Sequence, residues 1–152
     1  MVEETDSSVR HYNGGMQLGI VGLGRMGANM ARRLMRAGHS CVVYDVNPDA
    51  VQAMVREGAE GVERLDQLPS RLKAPRAVWI MVPHTEVDAT IEYLEPSLHE
   101  GDTVIDGGNS HYVEDVRRAA ALESRGIHYL DVGTSGGVWG LEKGYCLTIG
   151  GE

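Results

Sequence analysis

Apolar residues fall along this chain in two rhythms. Short runs of strand length, Gln17–Val21, Ser40–Tyr44, 77–82, Thr103–Asp106, 127–131 and 145–149, alternate with stretches where apolar residues recur every three or four positions. The first such stretch, 25–37, sets Met26, Met30, Leu34 and Ala37 on one face and stops at Gly38. Asn47 and Pro48 form a helix start, an N-cap followed by a proline at the first helical position, for a helix ending near Gly58. A short strand or turn at 59–62 and a loop holding Pro69 and Pro75 follow. Thr85-x-x-Asp88 has the spacing of a capping box for a helix that stops before Pro96. Ser110 stands where it would cap a helix carrying Val113, Val116 and Ala120, which stops at Gly126. This alternation predicts an α/β, Rossmann-like, doubly wound fold: a mainly parallel sheet with helices on both faces.

The junction of the first strand and first helix carries the most specific pattern. It reads Gly22-Leu23-Gly24-Arg25-Met26-Gly27. A glycine at the first position permits the tight turn, at the second lets a pyrophosphate approach the backbone, and at the third seats the helix close to the strand. The N–H groups at the helix start then face the phosphates. Asp45 ends the next strand, 21 residues past Gly24. An acid there accepts hydrogen bonds from adenosine ribose hydroxyls and repels a 2′-phosphate, so NAD is expected as cofactor ahead of NADP.

At 152 residues, 42% hydrophobic and 24% charged, the chain has the size and composition of one globular domain. A net charge of −8 argues against nucleic acid and against an anionic membrane surface as partners. No apolar run has the length of a membrane span. Cys41 and Cys146 both sit in apolar, strand-like runs, which predicts two buried thiols and a reducing, cytoplasmic setting. Residues 1–15 are polar and acidic without an apolar stretch, unlike a signal peptide, and are expected to be a disordered leader before a dinucleotide-binding unit at 16–152. The histidines lack metal-ligand spacing, so no metal is expected.

Open α/β sheets present ligand contacts at the carboxyl ends of their strands. Besides the glycine turn, three such ends carry unusual residues: Val82-Pro83-His84, Asp106-Gly-Gly-Asn109-Ser110, and Ser135-Gly136-Gly137. Asn109 both donates and accepts and is suited to bridging a polar substrate and a nicotinamide, although it and Ser110 could serve only as caps. Ser135 with two glycines offers a hydroxyl and open backbone N–H groups to a carboxylate or phosphate, although the glycine pair could be a plain turn. His84 is expected to be a loop residue near the cofactor. Asp106 and Asp131 end strands and are expected to hold loops in place. Gly133-x-Ser135-x-Gly137 formally matches a nucleophile elbow, but no histidine follows His128, which excludes the ordered triad of that fold.

On these motifs the chain resembles the coenzyme domain of the 6-phosphogluconate dehydrogenase family, in its short, bacterial, NAD-preferring, decarboxylating form. The GLGRMGANMARRL stretch is common to β-hydroxyacid dehydrogenases. Asp106-Gly-Gly-Asn-Ser110 is more specific, and Ser135-Gly-Gly-Val-Trp-Gly140 running on to Gly144-Tyr-Cys146 more specific still. The resemblance implies that Gly22, Leu23, Gly24, Arg25, Met26 and Gly27 hold the pyrophosphate. Asp45, Val46 and Asn47 would stand where NADP-using members clamp a phosphate, and Val82, Pro83 and His84 would line the adenosine side. Asn109 would touch both nicotinamide ribose and substrate, and Ser135, Gly136 and Gly137 would bind the substrate, 6-phosphogluconate. The family's lysine base and glutamate acid belong to a segment beyond this sequence, in a helical domain that also builds the oligomer interface. The resemblance therefore implies a chain that binds cofactor but has no catalytic residue of its own and does not turn over alone. Two other readings stay open: another β-hydroxyacid dehydrogenase, of the 3-hydroxyisobutyrate or imine-reductase kind, and a non-catalytic dinucleotide-binding module.

Overall fold

The computed structural model describes residues 14–151; the polar leader falls almost wholly outside them, as does Glu152. One sheet holds seven strands: β1 (Gln17–Val21), β2 (Ser40–Tyr44), β3 (Glu60–Gly61), β4 (Ala77–Ile80), β5 (Thr103–Asp106), β6 (His128–Ser135) and β7 (Cys146–Gly151), in the order β3-β2-β1-β4-β5-β6-β7. All neighbours are parallel except β6 and β7. The helices are α1 (Arg25–Arg36), α2 (Pro48–Arg56), α3 (His84–Leu94), α4 (Tyr112–Glu123) and the single-turn α5 (Gly140–Lys143). This is the Rossmann-like, doubly wound arrangement that the alternation predicts.

Strand side chains alternate between two cores, as the pleat requires. Leu18 and Ile20 of β1, Val43 of β2 and Trp79 of β4 pack with Ala28, Met30 and Ala31 of α1 and Val51 and Met54 of α2. Val21, Val42, Val78, Ile80 and Val104 pack on the other face with Val87, Ile91 and Leu94 of α3 and Leu122 of α4. The strand order reverses beside β1, between β2 and β4, and this switch point opens the crevice used below.

Several sequence-based expectations are corrected. The fourth strand stops at Ile80 rather than Val82: Met81 still donates to the Val21 carbonyl at 2.7 Å, but Pro83 turns the chain into α3. Thr85 does not cap that helix. It lies inside it, Pro83 is the N-cap residue without a side-chain bond, and the Asp88 carboxylate turns instead to Arg117 and Arg118. His84 is accordingly the first helical residue, not a loop residue. Ser110 does not cap α4 either; His111 holds that position, and the Ser110 hydroxyl donates to Asp106 at 2.6 Å. Val113, Val116 and Ala120 face outward, while Asp115, Arg118 and Leu122 form the buried face of α4. The helix sits polar side down because the sheet beneath it offers Asp106 and Tyr129 as partners.

The last two strands also differ. β6 runs on to Ser135, and the return strand β7 is antiparallel and displaced to Cys146–Gly151, with every residue exposed. Cys146 is therefore exposed rather than buried. Cys41 is buried, and burial pushes its thiol up to about 11. A maleimide at neutral pH is expected to label Cys146 and spare Cys41 in the folded chain, and to label both after denaturation. Equal labelling of the two in the folded state would contradict this arrangement.

Candidate functional site

The three glycines of the first turn answer three different geometric demands. Gly22 has φ +96°, and a Cβ there would lie 2.7 Å from the Met81 carbonyl oxygen. Gly27 is buried, and its Cβ would come within 2.0 Å of the Gly22 carbonyl oxygen, so α1 rests directly on the turn. Gly24 is different: it is exposed, and nothing lies within 4 Å of the place its Cβ would take. A methyl group there would project into an open cradle. The first helical bond of α1 is Ala28 N–H to the Gly24 carbonyl at 3.0 Å, so the N–H groups of Arg25, Met26 and Gly27 have no helical acceptor. Gly24 supplies no capping side chain, and the first turn has no acid. The positive end of the helix is thus left to an anion.

Asp45 ties this turn to the end of β2. Its Oδ2 accepts the Leu23 N–H at 2.6 Å and its Oδ1 the Asn47 N–H at 2.8 Å. Asn47 in turn caps α2 by accepting the Asp49 N–H at 3.0 Å. An ionised carboxylate has about four acceptor positions, so two remain for hydroxyl donors.

A cleft of about 700 Å³ opens over these residues. Of the residues singled out from sequence, Gly22, Gly24, Asp45, Val46, Val82 and Pro83 line it. Val46 is 87% exposed there, an apolar side chain held without a protein partner at the cleft mouth. Leu23 instead turns its side chain into the core, Met26 packs against that core, and Arg25, Asn47 and His84 are exposed outside the cleft lining. Sequence reasoning missed the far wall, where Glu86, Ala89, Thr90 and Tyr93 of α3 look into the cleft. Their i, i+3, i+4, i+7 spacing marks one helix face and was a readable signal. Glu63, Arg64 and Leu65, from the loop after β3, had none.

Asn109 and the Ser135–Gly137 segment lie outside this cleft lining. Asn109 is exposed at φ +56°, a backbone region that asparagine tolerates better than most residues. Its loop is fixed from below by Asp106, which accepts from Gly108 N–H at 2.7 Å, Ser110 Oγ at 2.6 Å, Arg118 Nη1 at 3.1 Å and Tyr129 Oη at 2.9 Å. The expected loop-holding part of Asp106 is thus visible as hydrogen bonds. Ser135 is exposed, four residues beyond the level at which β5 and β6 stop pairing, Asp106 with Asp131. At about 3.3 Å per residue it projects about 13 Å past that level. The turn after it is locked by Tyr145, whose ring would meet a Cβ on Gly140 at 2.0 Å. Arg33 of α1 donates to the Leu141 carbonyl at 2.9 Å, which docks α5 on α1. Among the described residues no helix is long and apolar enough to cross a membrane, and no cluster of metal-ligating side chains occurs.

The sequence profile described as the NAD binding domain of 6-phosphogluconate dehydrogenase matches residues 17–152. The chain belongs to this family. A Haloferax volcanii relative, named as an NAD(+)-dependent, decarboxylating 6-phosphogluconate dehydrogenase, is 47% identical over 137 residues, which is 90% of this chain and 45% of the relative. Among solved structures, the Plasmodium falciparum 6-phosphogluconate dehydrogenase, described with its cofactor NADP+ and with its substrate 6-phosphogluconate, matches with a TM-score of 0.83 at 27% identity, over 90% of this chain and 31% of that one. A Mycobacterium tuberculosis 3-hydroxyisobutyrate dehydrogenase, described with L-serine, matches with a TM-score of 0.81 at 26% identity, over 91% of this chain and 47% of that one. The chain spans less than half the length of each of these relatives.

The glycine geometry separates two substitutions in this domain. Gly24→Ala is expected to leave stability within about 0.5 kcal/mol of wild type, since the Cβ has space, yet weaken NAD binding about ten-fold or more. Gly27→Ala forces backbone apart and is expected to cost about 1–3 kcal/mol of stability or more. Thermal melts beside calorimetric titration check both. Unchanged NAD affinity in Gly24→Ala would show that the turn only packs.

Proposed function

We propose that this chain is the coenzyme-binding part of an NAD-dependent 6-phosphogluconate dehydrogenase, which converts 6-phosphogluconate and NAD+ to ribulose 5-phosphate, CO2 and NADH. The observation that carries the cofactor choice is the Asp45 carboxylate, held at the cleft by two backbone N–H groups with acceptor capacity to spare. Its neighbours along the cleft, Glu63 and Glu86 against the single cation Arg64, add negative charge where a 2′-phosphate would lie. Arg64 is itself paired with Asp66. The 47% identity with the NAD(+)-dependent Haloferax relative supports both cofactor and substrate.

In this reading the N–H groups of Arg25, Met26 and Gly27 bind the pyrophosphate, and Asp45 accepts the ribose hydroxyls. Val46, Val82 and Pro83 exclude water from the adenine side. Asn109 orients the nicotinamide ribose and the substrate, and Ser135, Gly136 and Gly137 bind the substrate. NAD, when bound, would supply the hydride acceptor for C3 of the sugar acid. No base or acid is assigned to this chain. Of its two lysines, Lys73 donates its backbone N–H to Gln17 at the opening of β1, the opposite end of the sheet from the cleft, and the Lys143 ammonium lies 5.2 Å from the Trp139 ring centre. The isolated chain is accordingly expected to bind NAD without producing NADH from 6-phosphogluconate. A 3-hydroxyisobutyrate-type substrate is the second reading, favoured by the close structural likeness to the Mycobacterium tuberculosis enzyme.

Titration with NAD and NADP tests the cofactor assignment. NAD is expected to bind at least about ten-fold more tightly, because a charge-assisted hydrogen bond contributes roughly 1.5–3 kcal/mol. Asp45→Asn, which removes the charge and keeps one acceptor, is expected to narrow that gap. Tighter binding of NADP by the unaltered chain would overturn the assignment.

A further inference from the structure

The polar side chains buried under α4 contain one hydrogen-bond contact too many for the protons they are ordinarily given. Tyr129 Oη lies 2.9 Å from Asp106 Oδ2 and 2.8 Å from Asp115 Oδ1. A phenol has one proton to donate, and two ionised carboxylates can only accept. A second proton is required. Asp106 is the better candidate for the ionised group, because its two oxygens together take four donors, including the Arg118 guanidinium. Asp115 is the reverse. Its Oδ1 has the Tyr129 contact and one long contact, 3.5 Å, to Arg118, and its Oδ2 is buried without any partner. A carboxylate charge left so poorly solvated at 6% exposure is unfavourable.

We propose that Asp115 is held as a neutral acid that donates to Tyr129, that Tyr129 donates to Asp106, and that this directed chain positions the Asn109 loop. Asp115, Tyr129 and Arg118 are positioning residues, acting through Asp106 on Gly108 and Ser110, the two neighbours of Asn109. The inference rests on the reading above that Asn109 contacts the nicotinamide side of the cofactor. The groups facing Asp115 favour the neutral acid. Burial, and the nearby carboxylates Asp131 of β6 and Asp106 of β5, push it above the ordinary carboxylate range, against the opposing pull of the Tyr129 bond. Arg118, the one cation paired with it among the described residues, is spread over Asp106, Ser110 and Asp88 of α3, the last of which it and Arg117 hold down near 2. The further titratable groups Tyr112, Glu123 and His128 line the same side cavity as Asp115 and Asp131.

Two measurements on the 152-residue chain test the two halves. The first compares melting of wild type and Asp115→Asn across pH. An unfolded chain releases this proton in the ordinary carboxylate range and the folded chain holds it to higher pH, so the stability it confers is complete at acid pH and fades as pH rises through the raised value. Asn keeps a donor toward Tyr129 at every pH. The variant is therefore expected to match wild type in acid and to become the more stable of the two as pH rises. A gap that does not change with pH, or that moves the other way, would overturn the neutral acid.

The second measurement compares NAD with ADP, which fills only the adenosine and pyrophosphate part of the site. Tyr129→Phe is expected to weaken NAD about five-fold, the effect of one net hydrogen bond, and to leave ADP affinity unchanged. Asn109→Ala run in parallel separates the inference from the reading beneath it. Weaker NAD in Asn109→Ala with unaltered NAD in Tyr129→Phe would overturn the positioning role alone. Unaltered NAD in Asn109→Ala would overturn the reading of Asn109 and this role with it. Equal weakening of NAD and ADP in Tyr129→Phe would mark a general structural defect and likewise overturn the positioning role. If Tyr129→Phe does not fold, Ser110→Ala, which removes one of the Asp106 donors beside Asn109, takes its place with the same expected split.

Discussion

Helix α1 begins where it does because Gly27 rests against the carbonyl of Gly22. A methyl group's width at either position would lift the helix away from the end of β1. The N–H groups of its first turn would then no longer stand at the floor of the crevice, and Leu23 would no longer reach the Asp45 carboxylate. Strand end, helix start and acid form one closed set of contacts, in which the short Asp45 side chain is fixed by backbone N–H groups.

The sheet around this contact reads well from sequence because its signals are local. Alternation of apolar runs with helical spacing, a proline after Asn47 and a glycine after Ala37 each depend on a few neighbouring residues, and the corresponding elements formed as read. The errors have a common cause in long-range polar pairing. Thr85 and Asp88 have the spacing of a capping box, but Asp88 finds Arg118, thirty residues away, across two helices. Ser110 looks like a cap until Asp106 claims its hydroxyl. In α4 Val113, Val116 and Ala120 face outward, while the Arg118 guanidinium and the Asp115 carboxyl group are buried beside Leu122.

The candidate site divides along the same line. Its glycine turn and Asp45 are written in a contiguous motif and an acid at a fixed interval, and were legible. Its outer wall was not, because Glu63 and Arg64 come from a loop, and Leu65 from the short 3-10 turn after it, whose path no periodicity reveals. Ser135 was singled out correctly as a strand-end residue, but its height above the sheet depends on β6 continuing alone with an antiparallel partner, and nothing in the run 127–131 announces that continuation.

The terminal strand has a consequence for handling the protein. β7 is six residues long, carries no charge and no proline, and shows Leu147 and Ile149 to solvent at the sheet edge. Its outward backbone groups form a template for another extended chain, and no lysine stands within Cys146–Gly151 to discourage such pairing. The exposed Cys146 thiol at its start adds a covalent route between two copies brought together there. Stocks of this chain are therefore best kept reduced and dilute, with turbidity as the early sign of loss.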